Sequence, residues 1–340
     1  MNIELLKKLC LINGTSGDEG RVREFIISEI KDHCDYSVDP LGNIIAVKKG
    51  KSPAKNKVMV SAHMDEVGMI VTSVKSDGTL TVSSVGGVDA RVAVGRPVRV
   101  GDSGIAGVVG SKAVHNLSAD EKKTAPKFSG LYVDIGAEDK ASAEKLVSLG
   151  DRVHFVSDFA EYGDGFIKGK AIDDRFGCAV MINLIQSELP YDCTFTFVVQ
   201  EEVGLRGSRT AAYTVDPQFA LVLESTTAAD IPLASGEKRC CELGKGAVVS
   251  YMDRSTIYDN ELYRLSKETA EKLGIGWQTK TMVAGGNDSG AIHISRGGVR
   301  TLAISAPCRY LHSPCCVVKL SDLIECEKLA SAMLEKMCTM

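Results

Sequence analysis

The chain has 340 residues, of which 44% are hydrophobic and 25% are charged, and its formal net charge is −4. This is the composition of a globular protein with room for two domains and a core of normal size. The small negative charge, without a basic block, makes nucleic acid a poor candidate partner. No apolar run approaches the ~20 residues that cross a bilayer, so we expect no membrane contact. Eleven cysteines without a repeating spacing indicate reduced thiols in the cytoplasm.

The first part of the chain is predicted to be helical and then extended. "MNIELLKKLCLING" is typical of a short amphipathic helix and not of a signal peptide. A second helix is predicted over residues 16–34, because Ser16 and Glu19 have the spacing of a capping box. "YSVDPLGNIIAV" predicts two strands joined by a turn. "KVMVSAHMD" predicts a strand buried on both faces of a mostly parallel sheet.

The pattern changes between residues 67 and 163. This segment is rich in Val and Gly and consists of short alternating stretches such as "GMIVTSV", "TLTVSSV" and "DRVHFVS". Turn signals such as Asp77-Gly78 separate these stretches. The segment therefore predicts a small all-β barrel or sandwich, with one helix near residues 139–149.

From residue 164 the chain alternates again between helical and extended patterns. Helices are predicted in "DDRFGCAVMINLIQSEL", in "DNELYRLSKETAEKLG" and in the closing "LSDLIECEKLASAMLEKM", and strands in "CTFTFVVQ", "FALVLES", "GAVVSYM" and "VRTLAISAP". The predicted fold is an α/β domain with a mixed sheet flanked by helices, formed by residues 1–66 and 164–340. Residues 67–163 are predicted to be an inserted barrel-like β domain.

Polar side chains follow the predicted strands of the α/β domain. They are His63 and Asp65 after "VMVSA", Glu201 and Glu202 after "TFTFVVQ", Glu224 after "FALVL", and His312 after "TLAIS", while Asp173 and Asp174 open a helix. In open α/β sheets, ligands bind at the carboxyl ends of the strands. These segments therefore bring carboxylates and imidazoles to one edge of one sheet.

Each of these residues alone has an ordinary structural explanation. An Asp at a helix start is a common N-cap, adjacent glutamates are usually solvated, and a loop histidine usually has a simple hydrogen-bond partner. Their convergence is different, because so many carboxylates would repel one another unless cations lay among them. Two His and three carboxylates can hold two divalent ions, with one carboxylate bridging. Of two neighbouring glutamates at a strand exit, one can bind an ion while the other acts as a general base.

Several of these motifs together resemble a known family. "SAHMDEVG", "KGKAIDDRFGCA", "VVQEEVGLRGS", "LVLES", "AGGNDSGAIH" and "PCRYLHSP" are similar, in this order, to the signatures of metallopeptidase family 42. That family contains glutamyl and deblocking aminopeptidases, large tetrahedral peptidases, and proteins with older endoglucanase or cellulase-M labels. The resemblance covers essentially the whole chain, including the position of the inserted β domain.

The resemblance implies a role for each candidate residue. The implied metal ligands are His63, Asp173, Glu202, Glu224 and His312, with Asp173 bridging, His63 and Glu224 on one ion, and Glu202 and His312 on the other. Glu201 is the implied general base, and Asp65 is implied to orient His63. Asp173 is preferred to Asp174 because the family pattern often has Asn at the second position. Many members have Asp where Glu224 stands, which leaves the binding mode at that ion open.

Three further stretches have competing interpretations. "CRYLHSPCC" offers Cys308, His312, Cys315 and Cys316 to a structural zinc, but adjacent cysteines are a poor chelating pair. "GGNDSG", residues 285–290, lacks the spacing of a phosphate-binding loop, and a loop that lets backbone approach the cleft is favoured. Lys238 and Arg239 could select an acidic substrate side chain or could simply be solvated, and the second interpretation is favoured.

The sequence thus predicts a cytoplasmic metal-dependent aminopeptidase that hydrolyses N-terminal residues from short peptides. Two divalent ions are expected per chain, with zinc favoured and cobalt or manganese as alternatives. The resemblance also implies self-assembly, with dimers building a dodecamer through the inserted domain. The alternatives are a deacylase of small metabolites on the same metal scaffold, a glucanase as in the older labels, and a catalytically silent assembly protein. The substrate-binding residues are not assigned.

Overall fold

The computed structural model describes residues 1–232 and 234–340. The α-helices are α1 (Ile3–Leu11), α2 (Gly20–Ile30), α3 (Ala90–Ala93), α4 (Lys140–Ala143), α5 (Ile172–Gln186), α6 (Arg206–Val215), α7 (Asn260–Leu273), α8 (Ser289–Ile292) and α9 (Leu320–Thr339). The strands are β1 (Asp35–Val38), β2 (Ile44–Lys48), β3 (Val58–His63), β4 (Gly68–Val74), β5 (Leu80–Val85), β6 (Pro97–Val100), β7 (Ile105–Gly110), β8 (Tyr132–Asp134), β9 (Arg152–Phe155), β10 (Ala160–Tyr162), β11 (Phe166–Gly169), β12 (Cys193–Val198), β13 (Phe219–Thr227), β14 (Ala247–Val249), β15 (Trp277–Thr279), β16 (Arg300–Cys308) and β17 (Cys316–Lys319).

The main sheet has the strand order β1-β2-β12-β3-β13-β16-β14-β15. Its central strands β12, β3, β13 and β16 run parallel, while β1, β2 and β14 pair antiparallel with a neighbour. Strands β3 and β12 are buried along their whole length, as expected for strands covered on both faces. Parallel strands end at the same edge of a sheet, and this edge therefore collects whatever follows each strand.

Helices cover both faces of this sheet. On one face, apolar side chains of α1, α2, α5 and α9 form the largest hydrophobic cluster, which includes Phe176, Phe195 and Met333. On the other face, α6 and α8 pack over a smaller cluster that includes Met59 and Ile292. Because the sheet is buried on both sides, the edge at the carboxyl ends of the parallel strands is where polar side chains can gather.

The inserted segment forms a closed antiparallel barrel. Its strands follow the order β4-β5-β8-β7-β6-β9, and every pairing in it is antiparallel. The barrel has its own core, built mainly from buried valines such as Val71, Val100, Val133 and Val153. Strand β10 follows the barrel but pairs with β11, which in turn pairs with β17 of the α/β domain. The chain thus returns to the α/β domain through a small separate sheet.

The predicted fold class is confirmed: a mixed α/β domain carries a separate barrel. The strands expected in "YSVDPLGNIIAV" are β1 and β2, and the helix expected to end at Gly274 is α7, whose cap is left-handed with φ 65°. Two helix predictions were too long. Helix α2 covers only Gly20–Ile30, and the helix expected near 139–149 is the short α4. None of the described helices combines the length and the apolar character that a membrane span requires.

Candidate active site

The candidate ligands come from different segments and meet at the edge where the parallel strands end. His63 is the last residue of β3, Glu202 follows β12, Glu224 lies in β13, His312 follows β16, and Asp173 lies in the first turn of α5. Helix α5 packs against β3 and β13, which brings its first turn to the same edge. The predicted convergence is therefore present in the folded chain.

Asp173 lies between the two imidazoles. Its Oδ1 is 3.6 Å from Nε2 of His63, and its Oδ2 is 3.6 Å from Nε2 of His312. Glu224 adds an oxygen 3.4 Å from Nε2 of His63, and Glu202 adds one 3.3 Å from Nε2 of His312. One carboxylate thus faces two separate pairs, each made of one imidazole and one further carboxylate.

These separations fit metal ligands better than hydrogen bonds. Two ligand atoms that are each ~2.1 Å from a tetrahedral ion are roughly 3.4 Å apart. The observed separations of 3.3–3.6 Å match that value and exceed the usual length of a hydrogen bond. Oδ1 of Asp173 is also buried without a hydrogen-bond partner among the described residues. The residues around Asp173 therefore fit the ligands of divalent cations.

Asp174 is a second candidate on the same turn. One of its oxygens accepts a hydrogen bond from the backbone N–H of Gly177 at 2.9 Å, which caps the following helical turn. Its other oxygen is buried without a partner within the described chain, and Asp174, His63 and Glu224 could together hold an ion. A side chain at position 177 would meet this carboxylate, since a Cβ there would lie 2.4 Å from it. Asp174 thus supports the turn and faces the same ion position as Glu224.

Three side chains of the site, His312, Glu202 and Glu201, have raised pKa values in the metal-free protein. The contact with Asp173 raises the pKa of His312 to about 9. Burial raises the pKa of Glu202 to about 7, and burial likewise raises the pKa of Glu201 well above its ordinary value. A cation that enters the site must therefore displace protons from its ligands.

Asp65 organises the site in a way that differs in part from the prediction. Nδ1 of His63 is 3.1 Å from the backbone carbonyl oxygen of Asp65 and 3.5 Å from its carboxylate, so the backbone carbonyl is the nearer partner of the imidazole. The carboxylate itself accepts hydrogen bonds from the backbone N–H groups of Glu201 at 3.0 Å and Glu202 at 3.2 Å. The hydroxyl of Ser16 donates to the same carboxylate at 2.6 Å. Asp65 thus fixes the strand exit that carries both glutamates.

The two residues predicted to cap α2 belong to this support instead. Ser16 binds Asp65, and the buried carboxylate of Glu19 accepts hydrogen bonds from the backbone N–H groups of Gly17 at 2.7 Å and Gln200 at 3.2 Å. Gln200 has a left-handed backbone with φ 56°, where the chain turns away from β12. The capping-box prediction was therefore wrong, because the tertiary fold uses these side chains to hold the β12 exit.

Glu201 lies in the wall of a cleft of about 600 Å³ beside the candidate ligands. Among the described residues, two groups have ligand atoms close enough to hold an ion, and neither contains Glu201 or His312; they are His63, Asp173 and Glu202, and His63, Asp174 and Glu224. The other walls come from the ends of β13 and from the segment around Lys280 and Met282. Because Glu201 lines the cleft, its carboxylate can contact a molecule bound there, whereas the carboxylate of its neighbour Glu202 faces His312.

The inserted segment also reaches the site, through two glycines. A Cβ at Gly86 would lie 3.3 Å from Cβ of Glu202 and 2.8 Å from Val67, and a Cβ at Gly87 would lie 3.0 Å from Nδ1 of His312. Gly86 has φ 80°, which favours glycine by itself. The absence of side chains at these two positions lets the backbone of the insertion contact the His312 side of the site.

Comparisons with known proteins give a consistent result. The profile of the M42 glutamyl aminopeptidase family matches residues 42–329. The chain belongs to this family. It is 40% identical over 338 residues to a putative aminopeptidase of Acetivibrio thermocellus, covering 98% of each chain.

Solved structures agree with this assignment. A TET aminopeptidase from a marine sediment archaeon of the Thaumarchaeota has a TM-score of 0.94 at 33% identity, covering 98% of this chain and 96% of that one. The TET1 peptidase of Pyrococcus horikoshii, which can assemble into a tetrahedron or a large octahedral shell, has a TM-score of 0.86 at 38% identity, covering 97% and 98%.

The family recognised from the motifs is thus confirmed, together with its reaction class, hydrolysis by a metal-dependent aminopeptidase. Glu224 is the position at which the resemblance left the binding mode open. Its Oε1 lies 3.4 Å from His63 and also accepts a hydrogen bond from the backbone N–H of Ser225 at 3.0 Å. The extra methylene is therefore accommodated by folding the carboxylate back toward its own backbone, and the contact with His63 is kept.

The competing stretches have other roles in the fold. No described group that could hold an ion contains a cysteine, and Cys308 and Cys316 are buried. "GGNDSG" leads into α8 and contributes Asp288, a buried carboxylate without a hydrogen-bond partner in the described part of the chain. Lys238 and Arg239 are exposed, in agreement with solvated charges. No pattern in the sequence singled out Asp288, since a single Asp in a glycine-rich loop usually makes a turn.

We expect Gly87→Ala to weaken metal binding at the His312 side. The added methyl group would lie 3.0 Å from Nδ1 of His312, and this side chain is 40% exposed and so can swing away from Glu202. The loss of affinity should be about 10–100-fold, as for other changes in the groups that orient a metal ligand. Gly130→Ala is the matched control, because a Cβ there meets nothing within 4 Å. Titration with a competing chelator measures both, and equal affinities would contradict the role of Gly87.

We also expect metal binding to release at least one proton per chain at pH 7.5. His312, with its pKa raised to about 9 in the metal-free protein, is mostly protonated at this pH. As the pH falls below 9, the proton competes more strongly, so the apparent affinity should fall by up to about tenfold per pH unit. Calorimetry in two buffers with different ionisation enthalpies counts the protons, and His312→Gln should reduce the number. A release near zero in the unaltered protein would contradict the assignment.

Proposed function

We propose that this protein removes N-terminal residues from short peptides with two divalent ions and Glu201 as the general base. The ligands are His63, Asp173, Glu202, Glu224 and His312, with Asp173 shared between the ions. The observation that carries the proposal is the position of Asp173, whose two oxygens lie 3.6 Å from two different imidazoles. Zinc suits the mixture of imidazole and carboxylate ligands, and cobalt or manganese would accept it too.

Bound divalent ions would supply Lewis-acid chemistry, polarising a carbonyl and lowering the pKa of water. The proton transfers of the reaction are assigned to Glu201. Its side chain lies at the cleft wall, and burial raises its pKa, so it can accept a proton from the attacking water and hold it. It can then donate this proton to the leaving amine. Asp65 keeps Glu201 in place by accepting a hydrogen bond from its backbone N–H at 3.0 Å.

Of the two rival activities, the glucanase is weaker on chemical grounds, and the deacylase must be separated by experiment. A glucanase without metal needs two carboxylic groups free to act as acid and nucleophile or base, whereas the carboxylates here are engaged with imidazoles. A deacylase of small metabolites would use the same metal site and differs only in the substrate. A panel of aminoacyl arylamides, acyl amino acids and glucans, tested with metal-loaded protein, separates these activities. Hydrolysis of the arylamides alone is expected.

The neighbouring glutamates provide the sharpest test of the residue roles. Glu201→Gln keeps the side-chain volume but removes the base, so it should retain both ions and lose about 10²–10⁴-fold in turnover. Glu202→Gln removes a ligand, so it should lose affinity for one ion and recover part of its activity in excess metal. Each variant serves as the control of the other, with metal content and hydrolysis measured on the same samples. Loss of an ion in the first variant only would mean that base and ligand are exchanged.

We further propose that residues 67–163 form an oligomerisation domain and that dimers build a dodecamer. The TET1 peptidase of P. horikoshii assembles into a tetrahedron, and the barrel of this chain carries exposed apolar side chains such as Val108 and Val114. The catalytic part would then consist of residues 1–66 and 164–340. A cytoplasmic location is also proposed, because all eleven cysteines are free thiols.

A shortened chain tests the role of the barrel. Joining residue 66 to residue 164 through a short linker should give a folded monomer, since it removes the proposed assembly surface while leaving all five ligands. Light scattering after size-exclusion chromatography gives the mass, and circular dichroism checks the fold. The full-length protein is the control. A shortened chain that still forms the full-size particle would show that the barrel is not the assembly surface.

A further inference from the structure

Two consecutive cysteines share one hydrogen-bond acceptor. The thiols of Cys240 and Cys241 both contact the backbone carbonyl oxygen of Thr227, with Sγ of Cys241 at 3.4 Å and Sγ of Cys240 closer. Consecutive side chains of an extended chain point in opposite directions. A shared acceptor therefore means that the backbone already brings both sulfur atoms to the same side.

This pair of thiols, the Cys240–Cys241 dithiol, belongs to the wall of the catalytic cleft. Thr227 is the last residue of β13, the strand that also carries Glu224. Thr227, Cys240 and Lys280 line the same cleft as Glu201. A small reagent that enters the cleft therefore meets Cys240, of which 5% is exposed, while Cys241 lies behind it. A change at Cys240 alters the wall of the cleft.

The backbone around the dithiol is held on both sides. The N–H of Thr281 donates to the carbonyl oxygen of Cys240 at 3.1 Å, and the N–H of Glu242 donates to the side chain of Gln278 at 2.9 Å. Leu243 donates its N–H to the carboxylate of Asp230 at 3.0 Å. The backbone of residues 240–243 is therefore tied to the segments that carry Asp230 and Gln278.

The two thiols differ in reactivity. A hydrogen bond from Cys241, together with the charge of Lys280, lowers the pKa of Cys240 to about 6, whereas the pKa of Cys241 is raised. The thiol of Cys10, by contrast, is fully buried, and burial raises its pKa to about 12. A thiolate at the lining of a cleft, here a side chain of which 5% is exposed, beside a second thiol is the arrangement of oxidant-sensitive cysteines. Cys240 is thus suited to attack and Cys241 to resolve.

We propose that the Cys240–Cys241 dithiol is a modification site for hydroperoxides, which convert it reversibly into a vicinal disulfide and so lower the activity of the cleft. The sulfur of Cys240 attacks the peroxide oxygen, the O–O bond breaks, and a sulfenic acid and one water (from hydrogen peroxide) form. The sulfur of Cys241 then attacks the sulfenic sulfur, and the S–S bond forms with release of a second water. The dithiol loses two electrons and two protons, and the peroxide is reduced. A thiol or phosphine reverses the reaction.

The disulfide removes the S–H of Cys241 and the negative charge of Cys240 from the surroundings of the Thr227 carbonyl oxygen. That carbonyl loses its thiol contact, and Lys280, whose Nζ donates to the carbonyl oxygen of Ala284 at 3.0 Å, loses a nearby negative charge. Both changes alter the cleft wall next to Glu224 and Glu201. Displacements of about 1 Å in an active site can cost about 10²-fold in rate. The effect on activity rests on the proposed function, whereas the formation of the disulfide does not.

Zinc-loaded full-length protein, treated with hydrogen peroxide, tests the proposal. Zinc is used because it has no redox chemistry of its own. Peptide mapping should show the Cys240–Cys241 peptide lighter by about 2 Da, the mass of two hydrogens. Hydrolysis of an aminoacyl arylamide should fall by at least about tenfold. Both changes should reverse after phosphine reduction at the same zinc concentration, and a substrate-like inhibitor in the cleft should slow the oxidation.

Three variants serve as controls, each compared with its own untreated sample. Cys240→Ser should keep its activity in peroxide, and Cys241→Ser should stop at a sulfenic acid that dimedone traps. Cys34→Ser, which alters a half-buried thiol far along the chain, should behave like the unaltered protein. Oxidation of Cys34 while the Cys240–Cys241 peptide stays reduced would overturn the modification site. A disulfide that forms without loss of hydrolysis would overturn its effect on the cleft. The peptide map decides the first question even if no arylamide is cleaved.

Discussion

Crowded negative charge at one edge of the sheet is the constraint on which the rest of the structure depends. Asp173, Glu202 and Glu224 lie within 3.6 Å of one of two imidazoles, in a setting where water is largely excluded. Such a cluster is unstable unless positive charge compensates it. Parallel strands bring the side chains together, and hydrogen bonds to the backbone after these strands keep the side chains from separating. The fold thus concentrates negative charge at a place where a bound cation can offset the repulsion between the carboxylates.

The hydrogen bonds that hold the ligand-bearing backbone extend back to the N-terminal segment of the chain. Asp65 holds the backbone of both glutamates after β12, and Ser16 holds Asp65. The segment before Ser16 is anchored in turn by Arg175, a fully buried side chain whose Nη1 donates to the carbonyl oxygen of Leu9 at 2.6 Å. Since Arg175 follows the Asp173–Asp174 turn directly, one stretch of α5 supplies both a ligand and an anchor for the ligand's support.

The sequence was most informative where polar residues directly follow an apolar strand, because the end of the strand then determines where they lie in the fold. Strand exits after "VMVSA" and "TFTFVVQ" predicted His63 and the glutamate pair, because a parallel sheet leaves only one edge for them. It was least informative where a local pattern had two uses. Ser16 and Glu19 have capping-box spacing, yet they bind Asp65 and the β12 exit, which lie far away in the sequence. No periodicity reports such contacts, since they arise only when distant segments pack.

The contact between Gly86–Gly87 and the His312 side of the site makes the barrel part of the same energetic unit as the sheet. A shift of the barrel that brought this backbone closer would push on His312 and on Glu202, because even one methyl group added at Gly87 or Gly86 would lie only 3.0 or 3.3 Å from them. By thermodynamic reciprocity, a ligand that fixes His312 must also bias the orientation of the barrel. Ion occupancy and the position of the barrel would then be linked equilibria within one chain.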